Sequence, residues 1–425
     1  LPNGLTIVAE QMPVDAVNLS LWLGIGSAIE SDAINGMAHF LEHMIFKGTA
    51  SLESGEFERL VEQRGAITNA ATSQDYTHYY ITTAPQDFAD LAPLQIDLLL
   101  NAAISEDAFE RERPVILEEI RRSEDNPRRR TFCRSMEMAF DRLPYRRSVL
   151  GPVDVIEQLT PEQMREFHTT WYQPQSMTAV AVGNLPVGQL IEIVVDGFAK
   201  AESHGHLMGD NAQRKQLRDR LPDLPNLTPE SPFTETIRYE YVDDSLQQAR
   251  LVMAWRVPGM EDLEQTYALD ILASILGQGR TARLFQDLRE TQGLASSISV
   301  SNMTYITQGI FYISAHLPVE NLAVVEEAIA HHLSTLQTEL VTEAEIERIR
   351  TLAANRYVFG NETPSDRAGL YGYYQSLLGN LAPALTYPTR IQALDVTDLQ
   401  HAAQRYLSPE AYGVVVLKPP AALGG

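Results

Sequence analysis

The chain has 425 residues, 44% hydrophobic and 21% charged, enough length for two or more domains with their own cores and a composition that excludes global disorder. Its formal net charge of -23 argues against nucleic acid as a partner, because phosphate binding needs clustered Lys and Arg. The balance is compatible with cationic peptides, although acidic surfaces mostly serve solubility. The single cysteine, Cys133, leaves no internal disulfide and no cysteine-rich zinc site. This favours a soluble protein of a reducing compartment, the cytoplasm first; a disulfide-free protein of the periplasm or of an organelle matrix or stroma would have the same composition. No run of about 18 apolar residues occurs, so no membrane span is expected. The chain begins at Leu1 rather than Met, which leaves room for a targeting segment upstream.

Taken in order, Asn18 to Leu23 reads as an apolar strand, closing at Trp22-Leu23-Gly24-Ile25-Gly26. Met37 to Phe46 has helical periodicity and ends at the Gly48 turn. Ile67 to Thr82 alternates as strands do. Glu110 to Arg122 reads as a helix. Thr160-Pro161-Glu162-Gln163 is a capping box that starts a helix towards Trp171, and Met177 to Val182 is a short buried strand. From Glu202 to Thr234 come Pro222, Pro225, Pro229 and Pro232 with little apolar pattern, a linker composition. His204-Gly205-His206 within it is expected to be solvated linker rather than a metal site.

The order of elements then repeats. Leu251 to Trp255 closes a second apolar strand, Tyr267 to Leu276 is a second helix, and Ser296 to His316 a second alternating stretch. We read a duplication. The expected domains are 1–205, catalytic; 206–234, linker; and 235–425, a homologous non-catalytic half. Each half is expected to be an α+β layer, a mixed or antiparallel sheet with helices packed on one face.

His39-Phe40-Leu41-Glu42-His43 places two imidazoles four residues apart, on one face of a helix. Glu42 is about 100° round from His43, within reach of a water on a shared metal ion. The order H-x-x-E-H is that of the inverzincins, and a catalytic zinc needs a third protein ligand. Glu118 and Glu119 are the candidates. Glu119 lies at i+4 from Val115 and i+3 from Ile116, on the apolar face, whereas Glu118 shares its face with Arg111, Arg121 and Arg122. The choice is Glu119, with Glu112 as a residue orienting a ligand histidine.

These residues resemble the pitrilysin family of metallopeptidases, in particular its mitochondrial-processing-peptidase-like branch. The resemblance rests on Gly36 to Thr49, Asn69-Ala70-Ala71-Thr72, Tyr79-Tyr80, Val115 to Ile120 and Leu150-Gly151-Pro152. It continues in Arg283-Leu284-Phe285, Leu288-Arg289-Glu290 and Gly293-Leu294-Ala295. It implies paired halves or chains enclosing a chamber like a clamshell, zinc on His39, His43 and Glu119, Glu42 as catalytic base, and a substrate-pairing edge strand at Asn69 to Thr72. The last agrees with the alternating run Ile67 to Thr82, which can take an extended peptide by β-addition.

Two departures stand out. Asp270, Ala273 and Ser274 occupy the motif positions of the second half, so that half cannot rebuild the site. The family usually has a tyrosine seven residues after Arg289, helping that arginine hold the substrate; here it is Ser296. The reading is a zinc endopeptidase, one Zn2+ per chain, acting on unfolded peptides or flexible protein ends, with basic presequence-like ones favoured by an acidic chamber. It would work with a related family chain as a heterodimer, or as a self-dimer. The alternatives are a non-catalytic structural or assembly subunit and a non-peptidase metal hydrolase.

Overall fold

A computed structural model describes residues 1–205 and 226–420. Residues 206–225 of the expected linker lie outside the described residues, as do the side chains of His204-Gly205-His206. The first sheet contains β1 (Thr6–Gln11), β2 (Val17–Leu23), β3 (Ile67–Thr72), β4 (Thr77–Thr83) and β5 (Met177–Gly183), in the order β1-β5-β2-β4-β3. The second contains β6 (Ile237–Val242), β7 (Ala249–Pro258), β8 (Ser297–Met303), β9 (Gln308–Leu317) and β10 (Gly413–Lys418), in the order β6-β10-β7-β9-β8. Only the β1/β5 pair and the β10/β6 pair are parallel. The two orders map onto each other strand for strand, so the expected duplication of an α+β layer is what the chain forms.

Five helices matter most below: Met37–Ile45 (α1), Glu106–Asp125 (α2), Pro127–Ala139 (α3), Tyr267–Gly277 (α4) and Pro364–Leu378 (α5). The helix Pro161–Trp171 begins at the expected capping box, with Thr160 Oγ1 accepting from Gln163 N–H and the Gln163 side chain accepting from Thr160 N–H. In the first core Leu19, Leu21 and Leu23 of β2 pack with Met37, Phe40, Leu41 and Met44 of α1. Among the described residues no single helix is long and apolar enough to cross a membrane.

Each sheet also carries a helix on its other face, beyond the one-face layer expected. In β2 and β5 every residue is buried, and the alternate positions Trp22, Val180 and Val182 pack with Ala368 and Tyr371 of α5. The approach is close: a Cβ on Gly372 would lie 2.0 Å from Trp22 Nε1. Against the second sheet, Met138 of α3 packs with Val252, Ala254 and Val415. The helix on each outer face comes from the other half of the sequence. One compact unit holds Leu1–Arg121, the stretch from Ser148 on, and Val358–Leu385; the other holds Arg122–Arg147, the stretch from Asn226 to Tyr357, and the end of the chain. The division at 205 and 235 thus follows the repeat but not the packing, because an apolar helix face does not specify which sheet it covers.

The start of α1 is fixed by a residue far from any helical register. Glu30 is 4% exposed. Its Oε2 accepts from Gly36 N–H (2.8 Å) and Asn35 Nδ2 (2.9 Å), and its Oε1 from Ala38 N–H (2.7 Å). It thereby satisfies amides that the first helical turn leaves unpaired and places a carboxylate at the positive end of the helix dipole. Gly36 (φ +99°) and Gly151 (φ +75°) lie back to back, and a Cβ on Gly151 would sit 2.2 Å from Asn35 O. Glu30→Ala leaves these buried donors without an acceptor and is expected to cost about 2–4 kcal/mol. Urea unfolding should show an earlier midpoint; a wild-type midpoint would mean that α1 does not depend on this cap.

Candidate metal centre

Nearly all of α1 is core. Met37, Ala38, Phe40, Leu41, Met44 and Ile45 are each at most 1% exposed, which leaves His39, Glu42 and His43 as its polar stripe. Phe40 stacks on Phe109 of α2, centroids 4.5 Å apart and planes at 24°. Ala108, Phe109, Glu112, Ile116 and Ile120 form the buried side of α2. Glu112 and Glu119, seven residues apart on that helix, come to lie beside the stripe.

The expected trio is brought together. Glu119 Oε2 lies 3.5 Å from His39 Nε2 and 3.6 Å from His43 Nε2, and the candidate ligand atoms lie within 4.8 Å of one another. These separations exceed a hydrogen bond. The two Glu119 distances match the edges of a tetrahedron with bonds of about 2.0–2.2 Å, whose corners are about 3.3–3.6 Å apart, the geometry zinc adopts with His and carboxylate donors. The donor set fits the ion. Among the described residues this is the one such group.

Glu119 reaches the site differently from the sequence expectation. Its side chain is 43% exposed and Val115, expected on its inward face, is 48% exposed. Glu119 stands at the border of the buried stripe, where a carboxylate keeps contact with water. Glu118 points elsewhere, with Oε2 3.6 Å from Arg121.

Glu112 is buried at 9% exposure. Its Oε1 accepts from His43 Nδ1 (2.9 Å), and its Oε2 pairs with Lys47 Nζ (2.7 Å). With Nδ1–H donating to Glu112, Nε2 is the ring nitrogen of His43 that faces Glu119. Burial pushes the Glu112 carboxyl up, but the hydrogen bonds from Lys47 and His43 outweigh it and hold it below the ordinary carboxylate range. His39 has no such support: its Nδ1 is buried without a hydrogen-bond partner among the described residues, so packing holds the ring. Burial first, and the adjacent His43 second, lower its pKa to about 3. The imidazole is therefore neutral at physiological pH and its lone pair is available to a metal.

Burial raises the pKa of Glu42, opposed by the hydrogen bond from Thr72 Oγ1 to its Oε2 (2.5 Å). Thr72 ends β3, which pairs with β4 alone and so leaves its other edge open. Asn69 and Ala70 lie on this edge strand. Asn69 is exposed, and its Oδ1 accepts from Ala70 N–H (2.9 Å). Glu30, Lys47 and Thr72 escaped the sequence reading. Lys47, four residues after His43, offered a helical signal; Thr72 lay within a noted segment but without a partner.

Arg289 lies in the other unit, on the helical turn Phe285–Thr291. Its guanidinium covers the Phe285 ring at 4.7 Å and lies 3.8 Å from Glu290. Ser296 Oγ donates to Gln248 Oε1 (2.8 Å). In the repeat of the motif, Asp270 of α4 accepts from Asn302 Nδ2 (2.8 Å), and burial pushes its carboxyl up to about 6. Ala273 supplies no donor there, and a side-chain amide holds the acid instead.

Comparison with known proteins places the chain in a family. The family model described as insulinase (peptidase family M16) matches residues 6–153, and that described as the peptidase M16 inactive domain matches residues 158–352. An uncharacterized zinc protease of Mycobacterium tuberculosis is 29% identical, covering 99% of this chain and 92% of its own. Zinc protease PqqE of Helicobacter pylori is 27% identical over 99% of this chain and 92% of its own. The crystal structure of a protease from Helicobacter pylori superposes with a TM-score of 0.89 at 26% identity, covering 99% of this chain and 98% of that one. A putative M16-like peptidase from Alicyclobacillus acidocaldarius, 21% identical with a TM-score of 0.83 over 99% and 97% of the two chains, shares the fold. With both halves of the sequence matched in order, and the two sheets repeating one topology, the chain belongs to peptidase family M16.

Proposed function

We propose that the chain is a zinc-dependent endopeptidase that cleaves unfolded peptides or flexible protein ends. The observation that carries this is the convergence of His39, His43 and Glu119, with Glu119 3.5 and 3.6 Å from the two imidazoles and Glu42 beside His43 on the same helix. His39 Nε2, His43 Nε2 and a Glu119 oxygen would hold the ion, leaving the fourth position open. Bound there, zinc supplies Lewis-acid polarisation of a carbonyl and makes water acidic near neutral pH.

The remaining work falls to side chains of this chain. Glu42, aimed by Thr72, takes a proton from the attacking water as its oxygen adds to the carbonyl carbon and the C=O π bond opens, and returns it to the amine nitrogen as the carbonyl re-forms and the C–N bond breaks. Glu112 and Lys47 hold the His43 ring in the tautomer that keeps Nε2 free. The open edge of β3 can pair with an extended peptide and reduce its freedom before reaction. Folded domains would not fit that edge.

In the same reading the chain works with a related M16 chain that supplies the tyrosine absent at Ser296, as a heterodimer. The alternative, a scaffold subunit, is less economical because it leaves the Thr72–Glu42 contact and the Glu112–His43 link without a role.

Glu42→Gln should lower kcat on a quenched peptide library by about 10²–10⁴-fold while zinc content stays at one per chain. Wild type and variant should be assayed with and without the candidate partner. Activity only with the partner supports a shared site, and activity from the chain alone removes that part. Metal-loaded protein inactive under every condition would replace the peptidase with the scaffold. Glu112→Gln should weaken zinc binding about 10–100-fold in a chelator competition; unchanged affinity would show that His43 does not need its partner.

A further inference from the structure

The second unit brings arginines close to one another in a chain whose net charge is -23. Arg250 of β7 stands opposite His316 of β9, and its Nη1 donates to His316 Nε2 at 2.6 Å. The imidazole that accepts this bond is neutral and fixes the guanidinium rather than neutralising it. Arg128, exposed near the start of α3, lies close enough for its charge to act on both Arg250 and His316. Arg130 acts on Arg250 as well.

The neighbouring carboxylate is already engaged. Asp243 Oδ2 binds Arg130 Nη2 (2.6 Å) and Nε (3.0 Å), while its Oδ1 accepts from Ser245. Arg250 thus has two guanidiniums beside it and one acid that Arg130 already holds, and neither Arg128 nor Arg250 makes an ion pair among the described residues. Placing like charges side by side is destabilising, and an acidic protein has carboxylates available to relieve it. Alongside, Ser297 of β8 pairs with His316 across the strands, and Ser297, Ser299 and Ser301 present exposed hydroxyls on the same side, with Ser299 Oγ 2.8 Å from Ser314 Oγ. That surface is polar, uncharged and rich in small donors.

We propose that Arg128 and Arg250, with Arg250 positioned by His316, form a subsite for a carboxylate of the peptide substrate, either its C-terminal carboxylate or an acidic side chain. The proposal rests on the peptidase reading for the ligand being a peptide. Guanidinium groups match a carboxylate by paired N–H donors, and the serine row can take up the adjoining backbone and polar side chains. Against a largely acidic surface, this patch distinguishes where along a peptide a negative charge is accepted and where it is repelled. It opposes the expectation from bulk charge that basic peptides are preferred throughout.

The test is binding, read without turnover. Full-length Glu42→Gln protein, stripped of metal, is titrated with a fluorescein-labelled unstructured peptide containing one Glu and a free C-terminus. Two partners lack one carboxylate each, by C-terminal amidation or by Glu→Gln in the peptide. One of the two should bind about fivefold more weakly, the worth of an exposed charge pair of about 1 kcal/mol, and which one identifies the carboxylate. In R128Q and R250Q the difference between the peptides should disappear, whereas R129Q, an exposed neighbour, should keep it. Circular dichroism verifies that each variant is folded. Equal binding of all three peptides to the parent protein, or a difference that survives R128Q and R250Q, overturns the proposal. Because no cleavage is measured, a negative result leaves the peptidase reading untouched, and an inactive enzyme would leave this one standing.

Discussion

Two imidazoles and a carboxylate can face one another at 3.5 and 3.6 Å only if the helices bearing them cannot move apart. At that separation they make no hydrogen bonds to each other, so the trio contributes little to its own placement. The surrounding packing does it. α1 is enclosed by the first core, Phe40 is stacked on Phe109 of α2, and Glu30 fastens the first turn from outside the helix. The stripe His39, Glu42, His43 is what remains when every other face of a nine-residue helix is committed to burial.

The same enclosure sets the electrostatics. Burial keeps His39 neutral and raises Glu42, two changes that suit a ligand and a proton acceptor. Glu112 moves the opposite way, because Lys47 and His43 give its ionised form two partners. Three groups within one helical patch thus hold distinct protonation behaviour through their neighbours alone. The second unit shows the contrast. Asp270 sits at the repeat of His39 but is bonded to Asn302, and no cluster of ligand type forms there among the described residues.

Much of this was legible in the sequence, and for definable reasons. The i, i+4 spacing of His39 and His43, the capping box at Thr160 and the repeated strand-helix order are short-range patterns, and each element formed close to its expected range. Glu119, and not Glu118, lies beside the histidines, but not by sharing an inward face with Val115: Val115 faces solvent, and Glu119 stands at the edge of the buried stripe. Long-range partners were not legible. Glu30 caps α1 across a 3-10 turn, with no periodic relation to the helix, and Thr72 finds Glu42 thirty residues away through sheet geometry. The exchange of α3 and α5 between the sequence halves was hidden for the same reason, since amphipathicity states that a helix is covered but not by which sheet.

The most direct test of the proposed centre is anomalous diffraction at the zinc absorption edge from crystals of the zinc-loaded chain. The account predicts one strong peak, about 2.0–2.2 Å from His39 Nε2, His43 Nε2 and a Glu119 oxygen, with Glu42 beside it and outside coordination. A peak elsewhere, coordination through Glu42 or Glu112 in place of Glu119, or a zinc-loaded chain with no peak between α1 and α2 would contradict it.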